Sequence, residues 1–191
     1  YAVYGTVEEV PVEMARRQFE VNLFGLASLT QKVIAKMREN GSGKIINISS
    51  MGGKMYTPFG ACYHATKHAL EGWSDCLRIE VQAHGIDVVI IEPGGIQTEF
   101  TEVFKQNLQG DAESGPYANI LQAIIKSTEE MEKSGKLSDP KVITDLILKA
   151  VASKKPKTRY VAGAYAKPLM FARKYLGDRI FDKMLMSQFG K

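Results

Sequence analysis

Cysteine is scarce in this sequence, with two in 191 residues. Cys62 and Cys76 fall fourteen positions apart in one predicted helix, about 21 Å at a ~1.5 Å rise per residue. A disulfide needs α-carbons within about 7 Å, so they do not pair with each other, and free thiols fit a reducing, cytoplasmic setting. No apolar stretch reaches the ~18 residues of a membrane-spanning helix. Charge of one sign is also lacking: the net charge of +4 is too mild to imply nucleic acid as a partner. The one basic run, Lys154-Lys155-Pro156-Lys157-Thr158-Arg159, is short and reads as a solvated loop before a strand. Internal repeats, low-complexity tracts and domain linkers are absent. What remains, 45% of it apolar, is one ordinary globular domain.

The chain alternates helix and strand. From Pro11 to Glu39 the residues Phe19, Leu23, Leu26, Val33, Ile34 and Met37 recur at helical spacing, with Pro11 tolerated near the start. Asn40-Gly41-Ser42-Gly43 ends that helix, and Lys44 to Ser49 reads as a short buried strand. Ala61 to Ala83 is a second helix with Leu70, Trp73, Leu77 and Val81 along one side; Gly85 terminates it. Ile86 to Glu92 is a near-continuous β-branched run, the pattern of a parallel strand buried on both faces. Pro140 to Ser153 and Thr158 to Ala162 add a helix and a last strand. Such alternation predicts a Rossmann-like, doubly wound α/β sheet flanked by helices, with ligands at the carboxyl ends of its strands. Ser50 and Pro93 sit at two such ends.

Chemistry concentrates around Tyr63-His64-Ala65-Thr66-Lys67. A tyrosine and a lysine four apart share one helix face. Bringing a phenol from ~10 to neutrality takes roughly 4 kcal/mol, and a cation at ~4 Å in an effective dielectric of ~20 supplies about that. The spacing therefore predicts that Lys67 makes Tyr63 acidic enough to move protons near pH 7. Alone, the pair also describes any solvated helix surface. Three further segments keep it company: Asn22 in Val21-Asn22-Leu23-Phe24-Gly25, Ser50 closing Asn47-Ile48-Ser49-Ser50 thirteen positions before Tyr63, and Pro93-Gly94-Gly95-Ile96-Gln97-Thr98 after the apolar run.

In this order and spacing, these four segments resemble the catalytic half of a classical short-chain dehydrogenase/reductase (SDR), over roughly residues 1 to 162. The resemblance implies an oxidoreductase that moves hydride between NAD or NADP and an alcohol or carbonyl. Tyr63 would be the general acid or base, Lys67 its neighbour and a ligand of the nicotinamide ribose, and Ser50 a donor to the substrate oxygen. Asn22 would hold a water that links Lys67 to solvent. Pro93, Gly94, Ile96 and Thr98 would line the nicotinamide, the glycines letting the backbone approach a flat ligand. The family also pairs its long helices across a two-fold axis, which implies a homodimer or homotetramer. Its glycine-rich, pyrophosphate-binding turn is not found here. The sequence reads as one domain, 1–191, from the C-terminal part of such a Rossmann fold, with its first ~80 residues and N-terminal strands missing and the Lys44–Ser49 strand left at an open edge.

Other chemistries fit less well. Ile48 replaces the first glycine of a G-x-S-x-G nucleophile elbow around Ser50. His64 and His68 are four apart but lack a further His/Cys ligand set, so they read as helix-surface residues and no metal is expected. Asn47-Ile48-Ser49 matches a glycosylation acceptor inside a buried strand and is set aside. An extended-type epimerase or dehydratase also uses a Tyr/Lys pair but carries a larger region after Thr98; a truncated, non-catalytic interaction module is the remaining alternative. Residues 99–137, helical pieces broken by Gly110, Gly115 and Pro116, read as a substrate-loop flap. Residues 165–191 form an amphipathic, basic extension with Leu169, Phe171, Tyr175, Ile180, Phe181, Met184 and Leu185. Such a tail can lie on a membrane, but packing over a pocket or a partner subunit is the expected role. Relatives with similar tails act on bulky lipophilic carbonyls such as steroids and retinoids.

Overall fold

The helix and strand periods of the sequence resolve into a layered α/β structure. It is a computed structural model that describes residues 1–187. In chain order the elements are β1 (Tyr4–Gly5), α1 (Val12–Phe19), α2 (Gly25–Glu39), β2 (Gly43–Ile48), α3 (Ala61–Val81), β3 (Ile86–Pro93), α4 (Phe100–Gln106), β4 (Leu108–Gln109), α5 (Ala118–Lys133), α6 (Lys141–Ala152), β5 (Arg159–Ala162), α7 (Ala166–Tyr175) and α8 (Asp178–Met186).

β3 is the axis of the main sheet. β2 pairs with it in parallel from Gly43↔Ile86 to Ile48↔Ile91, and β5 pairs in parallel on its other side, from Ile90↔Arg159 to Pro93↔Ala162. The order is β2-β3-β5, so among the described residues β2 has an open outer edge, as expected for the Lys44–Ser49 strand. Successive strand residues face opposite ways, which gives the sheet two cores. On one face Ile45, Ile86 and Val88 pack with Leu77 and Val81 of α3, with Ile34 and Met37 of α2 alongside. On the other, Val89, Ile91 and Tyr160 pack against Ala150, Ile143, Leu146 and Ile147 of α6. Helices on both faces of a parallel sheet are the doubly wound arrangement read from the sequence. Lys44 ties the layers together by donating to the carbonyls of Ala150 (3.1 Å), Val151 (2.6 Å) and Ser153, where a helix C-terminus leaves acceptors without partners.

The helix expected from Pro11 to Glu39 is present but not uniform. A π-helical turn, Glu20–Phe24, joins α1 to α2, and Asn22 lies at its centre. Such single wide turns interrupt helices frequently at functional sites. Within 99–137 the structure has α4, α5 and the short β4, which pairs in parallel with β1 (Tyr4↔Leu108). The C-terminal extension packs as expected: Ala172, Phe181 and Leu185 form a core with Met55, just past the Ser50 turn. Its last four residues, 188–191, lie outside the described residues.

Candidate active site

Ser50 lies just past the carboxyl end of β2 and Pro93 is the last residue of the adjacent β3, so local folding brings them together. β2 ends at Ile48, opposite Ile91 of β3, and the Ser49 N–H donates to the Ile91 carbonyl at 2.8 Å. Ser50 then caps a short 3-10 turn, Met51–Gly53, its Oγ accepting from Gly52 N–H at 3.0 Å. That bond leaves the hydroxyl proton of Ser50 free to donate. Tyr63 and Lys67 come from the first turns of α3, side by side on one face.

These residues share one cavity of about 1050 Å³. Ser50, Tyr63 and Lys67 line it together with Pro93, Gly94, Ile96 and Thr98. Asn22 is not in the wall. Its Nδ2 donates to the Tyr1 carbonyl (3.0 Å) and to Thr66 Oγ1 (3.3 Å), and Thr66 in turn donates to the Tyr63 carbonyl (2.8 Å). The π turn is thereby tied to the backbone of α3 directly behind Tyr63.

The electrostatics correct one expectation. Lys67 Nζ donates to the Ile48 carbonyl at 3.0 Å and lies 5.9 Å from the centre of the Tyr63 ring. The Tyr63 phenol is pushed above its ordinary value by burial, with the Ser50 hydroxyl pulling the other way. Burial also pushes Lys67 down to about 8, against the charge of Glu71. Removal from water penalises tyrosinate and ammonium alike, an effect that residue spacing does not contain. Tyr63 is therefore held as the acid form. A methyl on Gly94 would meet the Ala164 carbonyl oxygen at 2.4 Å and Ala166 Cβ at 2.8 Å, so the packing of the segment after β5 by itself already requires glycine there.

The chemistry of the donor set fits a nicotinamide dinucleotide. Lys67 has three N–H donors, and one is used on Ile48; two remain for ribose hydroxyls. A model of the short chain dehydrogenase family matches residues 2–109, more than half of the chain and all of the segments just described. The chain belongs to the short-chain dehydrogenase family. Over its whole length it is 37% identical to the NADPH-dependent 3-dehydrocapnine reductase of Ornithobacterium rhinotracheale, spanning 68% of that protein. It is 33% identical, over 97% of its length, to the oxidoreductase YbbO of Escherichia coli K12, spanning 64% of that one. A short-chain dehydrogenase from Streptomyces avermitilis matches in three dimensions with a TM-score of 0.75 at 30% identity, covering 97% of this chain and 65% of the other. The chain thus spans about two thirds of the length of these relatives.

Several residues around this cavity carry no signal in the sequence. Tyr4 packs against Tyr63 with ring centres 5.4 Å apart and against Phe104 at 4.8 Å. His64, expected on the helix surface, is buried and lines the cavity. Thr57 N–H donates to its Nε2 at 3.0 Å, so the ring proton sits on Nδ1 and donates to the Gly52 carbonyl at 2.9 Å. A neutral histidine thus fixes both ends of the loop after Ser50.

A buried charged cluster also lies along α3, one turn beyond Lys67. Glu71 and Glu92 are 3% and 1% exposed, and Arg159 sits between them, 3.0 Å from Glu71 and 3.5 Å from Glu92. The Glu92 carboxyl is pushed up from 4.5 to about 7, by burial first and then by the charge of Glu71. The folded chain therefore keeps a proton that the unfolded chain releases between pH 4.5 and 7. Stability from this group is highest below that window and falls as pH rises through it. Glu92→Gln keeps the shape without ionising, and Arg159 retains Glu71 and Asp75. The variant is expected to gain stability at pH 8, by at most about 3 kcal/mol at ~1.36 kcal/mol per pH unit, and to match the parent near pH 4.5. Thermal denaturation at the two pH values checks this.

Proposed function

We propose that this chain carries the catalytic residues of an NAD(P)-dependent oxidoreductase that interconverts an alcohol with a ketone or aldehyde. The observation that supports it most is the convergence of Ser50, Tyr63 and Lys67 on one cavity wall, facing the Pro93–Thr98 segment. The bound dinucleotide supplies or accepts the hydride. In reduction, the protonated Tyr63 gives its proton to the carbonyl oxygen, and Ser50 donates a second hydrogen bond to the same oxygen as charge builds there. In oxidation the roles reverse. Lys67 binds the nicotinamide ribose and, still largely protonated at neutral pH, favours the tyrosinate left after transfer. Asn22, by resemblance the holder of a relay water, reaches α3 through Thr66.

The substrate we infer is bulky and lipophilic, steroid- or retinoid-like in shape. Met51, Met55, Phe104, Leu169 and Leu185 supply apolar wall, and the volume exceeds what a nicotinamide needs. The 3-dehydrocapnine reductase is NADPH-dependent, which favours NADPH and the reductive direction here. Val12, Val21, Phe24 and Leu29 on α1, the π turn and α2, and Ile79 on α3, are exposed, which suits the expected homodimer or homotetramer. The free Cys62 and Cys76 suit a reducing, cytoplasmic setting.

The test is titration of the intact protein with NADPH and NADH, followed by turnover of apolar ketones. Micromolar NADPH binding and NADPH-dependent reduction are expected, from a preparation that sediments as a dimer or tetramer. Failure to bind either dinucleotide would overturn the reading in favour of an interaction module.

A further inference from the structure

Tyr63, Lys67 and Glu71 stand four residues apart on α3 and so form one stripe along the helix. The first two face the cavity, whereas Glu71 is buried deeper and points into the protein. Its carboxylate makes contacts to two other elements. Oε2 takes Lys54 Nζ at 2.8 Å and the Arg159 guanidinium at 3.0 Å, with the Arg159 Nε bonded to the same oxygen. Lys54 closes the 3-10 turn that Ser50 opens. Arg159 begins β5, two residues before the Glu92↔Val161 pair and three before Pro93↔Ala162. Backbone packing at the same point is close: a methyl on Gly53 would lie 2.9 Å from Glu71 Cγ, 2.8 Å from Ser49 Oγ and 3.0 Å from the Lys67 carbonyl.

We propose that Glu71 is a positioning residue of the catalytic site, its buried carboxylate clamping the Ser50 turn through Lys54, and strand β5 through Arg159, onto the helix that carries Tyr63 and Lys67. The proposal rests on the reading of those three residues as the catalytic set. Ser50 is on a turn and Tyr63 on a helix, and the strands between them fix only where that turn starts. The Lys54 contact fixes where it ends. A displacement of about 1 Å between groups that must meet one oxygen costs up to 100-fold in rate, so a buried ion pair that sets this distance has leverage on turnover. Burial is one-sided in this clamp: the Glu71 side chain is 4% exposed, whereas Lys54 and Arg159 keep 34% and 26%, so it is the carboxylate that has no water to replace its partners. The charged groups facing Glu71 are Lys54, Arg159, Glu92 and, along its own helix, Lys67. Of these, Lys67 is the one on the cavity wall. Glu71 supports its ammonium form, and removal of that negative charge should let Lys67 deprotonate at lower pH.

The test compares Glu71→Gln, Lys54→Gln, the double variant and Tyr63→Phe in the intact enzyme, with kcat and kcat/KM followed across pH and thermal melts beside them. Glu71→Gln is expected to lower kcat about tenfold and to move the alkaline limb of the profile to lower pH. Lys54→Gln should lower kcat to a similar degree without moving that limb downward, because the Glu71 charge remains. The double variant should be no slower than Glu71→Gln, since both changes open one clamp. A merely structural carboxylate would lower the melting temperature and leave the limb in place. If Glu71→Gln fails to fold, Lys54→Gln decides, its side chain being only partly buried; parental kcat in that variant overturns the proposal. A folded Glu71→Gln with parental kcat and parental limb also overturns it. Undiminished turnover in Tyr63→Phe would instead bring down the catalytic reading, and this proposal with it.

Discussion

Tyr63→Phe is expected to cut kcat by 10²- to 10⁴-fold, the usual contribution of a positioned proton donor, with dinucleotide affinity nearly unchanged. The change removes one oxygen from a ring whose place is set by other contacts. Tyr4 packs on it at 5.4 Å and Phe100 at 5.8 Å between centres, and the α3 backbone behind it is tied through Thr66. Loss of one polar atom costs at most about 1 kcal/mol of stability, so the fold survives and the kinetic loss reports chemistry. Steady-state kinetics with a dinucleotide titration separates the two effects. A variant keeping a tenth of the parental kcat would remove Tyr63 from the acid role. Lys67→Ala should differ in kind, losing affinity as well as rate, because its ammonium is assigned to both ribose and proton transfer.

How far the sequence reached is clearest in α3. Its i, i+4 spacing places Tyr63 and Lys67 side by side, and its apolar stripe, Leu70 to Val81, finds the sheet. Both are local facts, written in neighbouring letters. The thirteen-residue interval to Ser50 was informative only through family resemblance, since nothing in residues 51–62 states that the turn folds back onto the helix. The direction of the Tyr63 shift is not in the sequence, because spacing gives a distance between two groups and not the water around them. Burial reverses the expected direction for the phenol and lowers the lysine. The cluster of Glu71, Glu92 and Arg159 is illegible in the sequence for a different reason. Glu71 and Arg159 are 88 positions apart, and only the parallel crossover from β3 through α6 to β5 makes them neighbours. His64 is buried where its spacing predicts a surface position, because the Ser50 turn covers a second face of α3 and a single apolar stripe predicts only one.

Gly94→Ala is expected to do more damage to the fold than any substitution in the cavity wall named above. Gly94 follows β3 directly, its N–H donates to the Ala162 carbonyl at 2.8 Å, and Gly95 and Ala164 exchange two backbone bonds at 2.8 and 3.1 Å. The two chains are thus held at fixed separation on both sides of residue 94. A methyl there has 2.4 Å to the Ala164 oxygen and 3.0 Å to the Ala166 nitrogen, and both are backbone atoms that cannot rotate away. The β3–β5 pairing must open at its carboxyl end, where Pro93 meets Ala162. Overpacking of this kind costs about 3 kcal/mol, or a fall of roughly 6–12 °C in melting temperature for a chain of this size. Because the same opening displaces Ile96 and Thr98 from the cavity wall, dinucleotide affinity should fall with it, whereas Gly41→Ala, at an exposed turn with nothing near the added methyl, should leave affinity intact at its own cost in stability. Melting curves and NADPH titrations of the two variants separate these outcomes: parental affinity in a folded Gly94→Ala would mean that Pro93–Thr98 does not line the nicotinamide.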